Sequence, residues 1–216
     1  MNYSSIAIAA LVLLIAYLIG SIPPGYWAGQ WLKGIDIREE GSGSTGATNV
    51  LRTVGKIPAI VVLLTDIGKG SLAVALVPLI YEGVIPLELP ETWRYWLAII
   101  VGLVAILGHS KSIFLNFSGG KSVATTFGVL LTLNYVVALS TLSVFLVCLA
   151  ITRIVSFSSI VASLCISLFM FAMDQPLPYM ILAAIAGFYV TIRHRANMQR
   201  LLAGTEPKLG QKVQES

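Results

Sequence analysis

Residues 6–27 read IAIAALVLLIAYLIGSIPPGYW, about 20 residues without a charge, interrupted only near the end by Gly20, Ser21, Pro23 and Pro24. A helix needs about 20 apolar residues to cross the hydrocarbon core of a bilayer, and this run supplies them. No Lys or Arg precedes it and no small-residue cleavage site follows, so it is expected to be a retained span and not a signal peptide. Comparable runs recur at 57–81, 95–108 with a possible start near Trp93, 135–152, 157–173 and 179–192. Residues 123–133 offer only about half a bilayer's worth, which predicts a short or re-entrant fourth helix. The pattern describes an all-α, polytopic integral membrane protein: one domain over 1–216, built as a bundle of seven transmembrane helices.

The composition agrees. Hydrophobic residues make up 56% of the chain and charged residues 11%, against about 25% charged in a soluble domain. The net charge of +4 comes with no basic run interleaved with aromatics, so nucleic acid is not an expected partner. Cys148 and Cys165 lie in apolar runs with no Cys or His at metal spacing, and are expected to be buried packing thiols. Neither a metal nor a cofactor is implied. Trp27, Trp31, Trp93 and Trp96 near span ends fit interfacial aromatics.

Charge sets the expected orientation. With seven crossings and the N-terminus outside, the inner segments hold Lys33, Arg38, Arg52, Lys56, Lys111, Lys121, Arg153, Arg193, Arg195, Arg200, Lys208 and Lys212, which is 12 of the 14 basic residues. Lys69 is inside a span and Arg94 faces out, with Glu82, Glu88, Glu91 and Asp174. This asymmetry satisfies the positive-inside rule and places the C-terminus in the cytoplasm. No internal repeat is visible, which weighs against a duplicated transporter.

Two glycine-rich segments then fall on the inner surface. The first, GSGSTGATNVLR at 41–52, combines Gly41, Gly43 and Gly46, expected to turn with φ > 0, with the short polar groups of Ser42, Ser44, Thr45, Thr48 and Asn49 and with Arg52. The second, at 108–125, sets Lys121 after Gly119 and Gly120 and immediately before a helix, where backbone amides and an ammonium can receive a phosphate. It is not a Walker A loop, because Leu115 stands where that motif needs glycine. Gly41, Gly43 and Gly46 formally match G-x-G-x-x-G, but no strand precedes them. Arg153, Ser156 and Ser159, spaced by three, are expected to line one side of the start of the sixth helix, and His194 and Asn197 the inner end of the seventh. Arg193, Arg195 and Arg200 are most simply interfacial anchors.

In order along the chain, GSGSTGATNVLR, GHxxxxFLxFxGGKxVAT from Gly108, R-x-x-S-x-x-S from Arg153 and R-H-x-x-N-x-x-R-L from Arg193 resemble the bacterial acylphosphate:glycerol-3-phosphate acyltransferase (PlsY) family. The resemblance covers nearly the whole chain; one departure is Ser44, where that family usually has Asn. It implies a seven-helix enzyme of the bacterial inner membrane, active site towards the cytoplasm, that moves a fatty acyl group from acyl phosphate to the 1-hydroxyl of glycerol 3-phosphate. The products would be lysophosphatidic acid and phosphate, and a soluble phosphate acyltransferase would act upstream. The implied glycerol phosphate-binding residues are Ser42, Arg52, Lys121, Ser159, His194 and Asn197, of which Ser42, His194 and Asn197 orient the substrates. Gly119, Gly120, Lys121 and Ser122 would hold acyl phosphate.

Acyl phosphate is a mixed anhydride with a good leaving group, so positioning and oxyanion stabilisation carry the reaction. A substrate phosphate oxygen is expected to aid proton removal, with His194 as general base the rival. The H-x-x-x-x-D motif of other glycerolipid acyltransferases is absent, since Phe114 follows His109 by five and Gln199 follows His194 by five. Asp66 and Lys69, three apart inside a span, are expected to pair structurally beneath the loops, the alternative being a direct substrate role for Lys69. His109 is either a loop-ordering residue or a direct ligand. An organic-phosphate transporter would also want glycine breaks and cations, but near the midplane and with repeat symmetry.

Overall fold

The computed structural model describes residues 3–211, so Lys212 of the charge count lies outside the described residues. Among them ten α-helices form: α1 Tyr3–Ser21, α2 Pro24–Lys33, α3 Ala47–Thr53, α4 Lys56–Tyr81, α5 Arg94–Ser110, α6 Val123–Leu133, α7 Tyr135–Thr152, α8 Val155–Ala172, α9 Leu177–Arg193 and α10 Arg195–Leu202. Five helical segments are long and apolar enough to cross a membrane, counting residues 3–33 as one, and α9 with α10 makes a sixth if the pair, bent by 60°, is one span. At eleven residues α6 rises about 17 Å, half of a bilayer core, as its short apolar run predicts.

Three local expectations are corrected. The first apolar run is not one helix. The chain breaks at Ile22 and Pro23, because a proline supplies no N–H to bond the preceding turn, and Pro24 restarts it as α2. The second half of GSGSTGATNVLR is not loop but α3. His194 and Asn197 do not share a continuous seventh helix, since His194 sits at the bend between α9 and α10.

The helices close around a core of small and branched residues, Ala16, Ala73, Val101, Val129 and Ala183 among them, all fully buried. Small residues set the spacing. A Cβ on Gly70 would stand 2.2 Å from Thr125 O, and one on Gly128 2.0 Å from Ile67 O, so the α4–α6 crossing depends on both glycines. Outward faces carry exposed Leu64, Ile151, Leu168, Phe171 and Phe188, a surface suited to lipid as solvent. Cys148 and Cys165 are free and half-buried on α7 and α8, less enclosed than expected.

A second, smaller core of Ile37, Val50, Ala59 and Val62 lies under the first polar segment. It fixes that segment to the end of α4. Asn49 completes the fold of the loop: its Nδ2 donates to the carbonyls of Ile37, Glu40 and Ser44 at 2.9–3.1 Å, and its Oδ1 accepts from Ser42 N at 3.0 Å. Gly41 and Gly43 have φ of 56° and 66° as expected, but Gly46 is extended with φ −78° and caps α3.

Candidate active site

At one end of the bundle a cavity of about 420 Å³ opens between α3, α4, α6, α7, α8 and the α9–α10 bend. Its mouth is polar, and its deeper walls are mainly apolar although Asp66, His109, Thr126, Thr141 and Ser163 also line it. Ser42, Arg52, Lys121, Ser156, Ser159, His194 and Asn197 line the mouth, while Leu63, Ile67, Phe127, Leu130, Phe145 and Ile166 line the walls further along the helices. Most of the groups predicted from sequence therefore converge, although they come from four separate stretches.

Each mouth residue is held by a definite contact. Lys121 Nζ donates to Asn197 Oδ1 at 2.6 Å, and Asn197 Nδ2 donates to Glu206 Oε1 at 2.6 Å. Ser156 Oγ donates to the same Glu206 oxygen at 2.7 Å, and Arg200 Nε reaches Glu206 Oε2 at 2.7 Å. Arg52 Nη2 donates to Pro207 O at 3.4 Å, and Ser159 Oγ to Val155 O at 2.8 Å. His194 Nδ1 lies 2.8 Å from Val190 O. A carbonyl only accepts, so Nδ1 carries the proton and Nε2 is left as the acceptor nitrogen.

Burial governs the charges here. It drives the Lys121 ammonium down to about 8, opposed by the charge of Glu206. It drives His194 down to about 4, so the ring is neutral at pH 7. Arg52 is also lowered by burial, yet a guanidinium stays charged throughout the physiological range. The carboxyl of Glu206 lies below its ordinary value: burial pushes it up, but the bonds from Asn197, Ser156 and Arg200 more than offset this.

The second loop is organised differently from its expectation. Gly119 and Gly120 do not line the cavity. They lie against His109: a Cβ on Gly119 would stand 2.3 Å from His109 O, and one on Gly120 2.2 Å from His109 Nε2. Their carbonyls accept from Arg193 Nη2 at 3.2 and 3.0 Å, so Arg193 is not a lipid anchor but a clamp on this loop. Arg200 likewise turns inward to Glu206, while Arg195 is exposed. Ser122 starts α6 with φ 64°, and its hydroxyl is committed to Ile106 O at 2.9 Å. The groups this loop turns to the cavity are Lys121, Ser122 and the first turn of α6 at Val123 and Ala124, where helix N–H groups have no partner in the helix.

Beneath the loop, Asp66 Oδ1 lies 2.8 Å from Lys69 Nζ and 3.3 Å from His109 Nδ1, all three residues being buried. Lys69 Nζ also donates to Ile22 O at 2.8 Å, a carbonyl freed by the break before Pro23. Asp66 and His109 touch the cavity, and Lys69 does not. The two loops are tied together by Arg38, whose Nη1 donates to Ser118 Oγ at 3.0 Å and Leu115 O at 3.3 Å while Asp36 holds the rest of the guanidinium.

Arg153 does not join Ser156 and Ser159. It ends α7 with φ 60°, is exposed, and binds the tail: Leu209 N donates to Arg153 O at 2.6 Å. The helical spacing used to group it failed because the chain turns at Arg153 and Ile154 before α8 begins. Sequence reasoning missed Glu206 altogether. Its only sequence signal is an acidic residue six after Arg200 and nine after Asn197, past a Gly204 turn, in a stretch that holds Arg193, Arg195 and Arg200.

Comparison with known proteins follows the same lines. The family model described as glycerol-3-phosphate acyltransferase matches residues 10–204. The glycerol-3-phosphate acyltransferase of Crocosphaera subtropica is 57% identical over 208 residues, covering 96% of this chain and 97% of that protein. That of Synechocystis is 56% identical, covering 97% and 95%. The crystal structure of PlsY, an integral membrane glycerol 3-phosphate acyltransferase, in its glycerol 3-phosphate form superposes with a TM-score of 0.84 at 35% identity, over 94% of this chain and 96% of that one. Its lysophosphatidic acid form gives 0.81 at 34% identity, with the same coverage. Sequence, fold and site lead to one assignment: the chain belongs to the PlsY family of glycerol-3-phosphate acyltransferases.

Proposed function

We propose that this cavity transfers a fatty acyl group from acyl phosphate to the 1-hydroxyl of glycerol 3-phosphate, giving lysophosphatidic acid and inorganic phosphate. One observation carries the reading: two cations, Arg52 and Lys121, meet polar groups at the mouth of a cavity whose deeper walls are apolar. The mouth suits phosphate and the depth suits an acyl chain, which would run between α4, α6, α7 and α8. The crystal structures of the PlsY relative in glycerol 3-phosphate and lysophosphatidic acid forms support the same acceptor and product.

In the reaction the acceptor hydroxyl oxygen attacks the acyl carbonyl carbon, the carbon–oxygen bond to phosphate breaks, and phosphate leaves with the bond pair. Ser42, His194 and Asn197 orient the reactants; Arg52 and Lys121 bind phosphate charge. Val123 and Ala124 amides at the start of α6, with Lys121, replace Gly119 and Gly120 as the groups facing acyl phosphate. A His194 ring with a value near 4 is a weak base at pH 7, which favours the orienting role and leaves the hydroxyl proton to a substrate phosphate oxygen. The chain is read as crossing a bacterial inner membrane seven times, N-terminus outside and site facing the cytoplasm, supplied with acyl phosphate by a soluble phosphate acyltransferase.

Purified protein in detergent, given acyl phosphate and glycerol 3-phosphate, is expected to release phosphate only when both are present. Release that ignores glycerol 3-phosphate would overturn the proposal. A transporter would instead show vesicle uptake without turnover of acyl phosphate.

A further inference from the structure

The mouth of the cavity holds an excess of positive charge. Lys121 is faced by Arg52 from α3, Arg193 from the end of α9 and Arg200 from α10, with neutral His194 beside it. Beneath the loop, Asp66 from α4 is engaged with Lys69 and with His109 from α5. The carboxylate that faces Lys121 is Glu206, and it comes from outside the helices, on the strap that follows α10.

That strap is fastened at three residues beyond its turn. Gly204, with φ 70°, turns the chain back. Glu206, its side chain 3% exposed, takes bonds from Ser156, Asn197 and Arg200; Arg52 donates to Pro207 O; Arg153 and Leu209 exchange two hydrogen bonds of 2.6 and 3.4 Å. A buried carboxylate at an anion site repels the anion the site must bind. Its presence therefore calls for a compensating role. The amide of Asn197 supplies one. A carboxylate only accepts and an ammonium only donates, so Nδ2 must face Glu206 and Oδ1 must face Lys121.

We propose that Glu206 is a positioning residue and the internal counter-ion of the phosphate site: through Asn197 it aims the Lys121 ammonium, and its charge balances the three guanidinium groups that surround that ammonium. This rests on the assignment of the mouth to substrate phosphate. Burial by itself pulls Lys121 down, and of the charges around it the carboxylate of Glu206 resists that pull most strongly, so that Lys121 keeps its proton at pH 7.

The test is the pH dependence of kcat/KM for glycerol 3-phosphate from pH 7 to 9, where the substrate phosphate stays dianionic. In the unsubstituted protein it falls above about pH 8 as Lys121 loses its proton. Glu206→Gln is expected to move that limb down by about one pH unit, from the loss of one charge two hydrogen bonds away. Adding Arg200→Gln removes a neighbouring cation and is expected to bring most of the limb back. Should Glu206→Gln fail to fold, Glu206→Asp takes its place: it keeps a carboxylate but draws it back from Asn197, so the limb moves down by a smaller step, and an unmoved limb overturns the proposal. A merely structural Glu206 would lower activity at every pH and leave the limb where it was, and that outcome overturns the proposal. Lys121→Met separates the two layers. If it binds glycerol 3-phosphate as well as the unsubstituted protein, the phosphate assignment itself fails; if it loses binding while the limb ignores Glu206 and Arg200, only the role of Glu206 fails.

Discussion

Gly120→Ala is the most direct probe of how the second loop is held. The added Cβ would stand 2.2 Å from His109 Nε2, 3.0 Å from Cε1 and 3.2 Å from Cδ2. Comfortable separations are about 3.5 Å, so the two groups must part by about 1 Å. The ring cannot yield, because His109 is 6% exposed and its Nδ1 lies against Asp66, which is itself held by Lys69. The loop moves instead, and Lys121 is the next residue. Overpacking of this kind costs about 1–3 kcal/mol, or roughly 2–10 °C in Tm for a chain of this size. A displacement of about 1 Å at a phosphate-binding ammonium lowers kcat/KM by about 10²-fold. Initial rates of phosphate release and a thermal melt in detergent measure both. The same substitution in a His109→Ala background should cost much less, since the opposing ring is gone. Full activity and an unchanged Tm in Gly120→Ala would refute the claim that contact with His109 sets the position of Lys121.

Three further outcomes follow from the contacts. His194→Gln should keep kcat within about tenfold while raising the KM for glycerol 3-phosphate, and kcat/KM should show no limb near pH 6.5 traceable to this ring, because its folded value lies near 4; loss of such a limb in the variant would restore the general-base role. The sign for stability is opposite to that of a paired histidine: the unfolded chain takes up this proton below about pH 6.5 and the folded one only near 4, so His194 lowers stability progressively as pH falls through that window, which chemical denaturation of the unsubstituted protein and His194→Gln at pH 5 and 7 would compare. Lys69→Met strands the buried Asp66 carboxylate and should cost about 3–5 kcal/mol with little change in KM, whereas a raised KM at unchanged stability would point to direct substrate contact.

The helices were legible because their lengths and polarity answer to the bilayer alone. The short α6 followed from a mainly apolar run of only eleven residues, and the glycine-rich segments from their composition. Less legible was what each polar group does. Gly119 and Gly120 look like a phosphate cradle when read along the chain, but the space beside them is taken by His109, a residue of another helix. Arg193 looks like a snorkelling anchor until the carbonyls it binds are known, and Arg153 is at helical spacing from Ser156 although no helix joins them. Ser44, short of the Asn usual in the family, still closes its turn by accepting from Gly46 N at 3.3 Å.

By itself the sequence determined the solvent of each segment, the chemistry of the polar segments and the family, since burial in lipid and affinity for phosphate depend on which residues are present and in what order. Tertiary structure alone decided which polar groups share a cavity. Ser42, Lys121, Ser159 and the His194–Asn197 pair lie far apart along the chain, and their meeting depends on glycine-spaced helix crossings, the break at Pro23 and the bend at His194. It also decided that a carboxylate nine residues beyond Asn197 folds back to face Lys121, a contact no local pattern encodes because the groups it joins come from two separate helices, α8 and α10, and a distant loop.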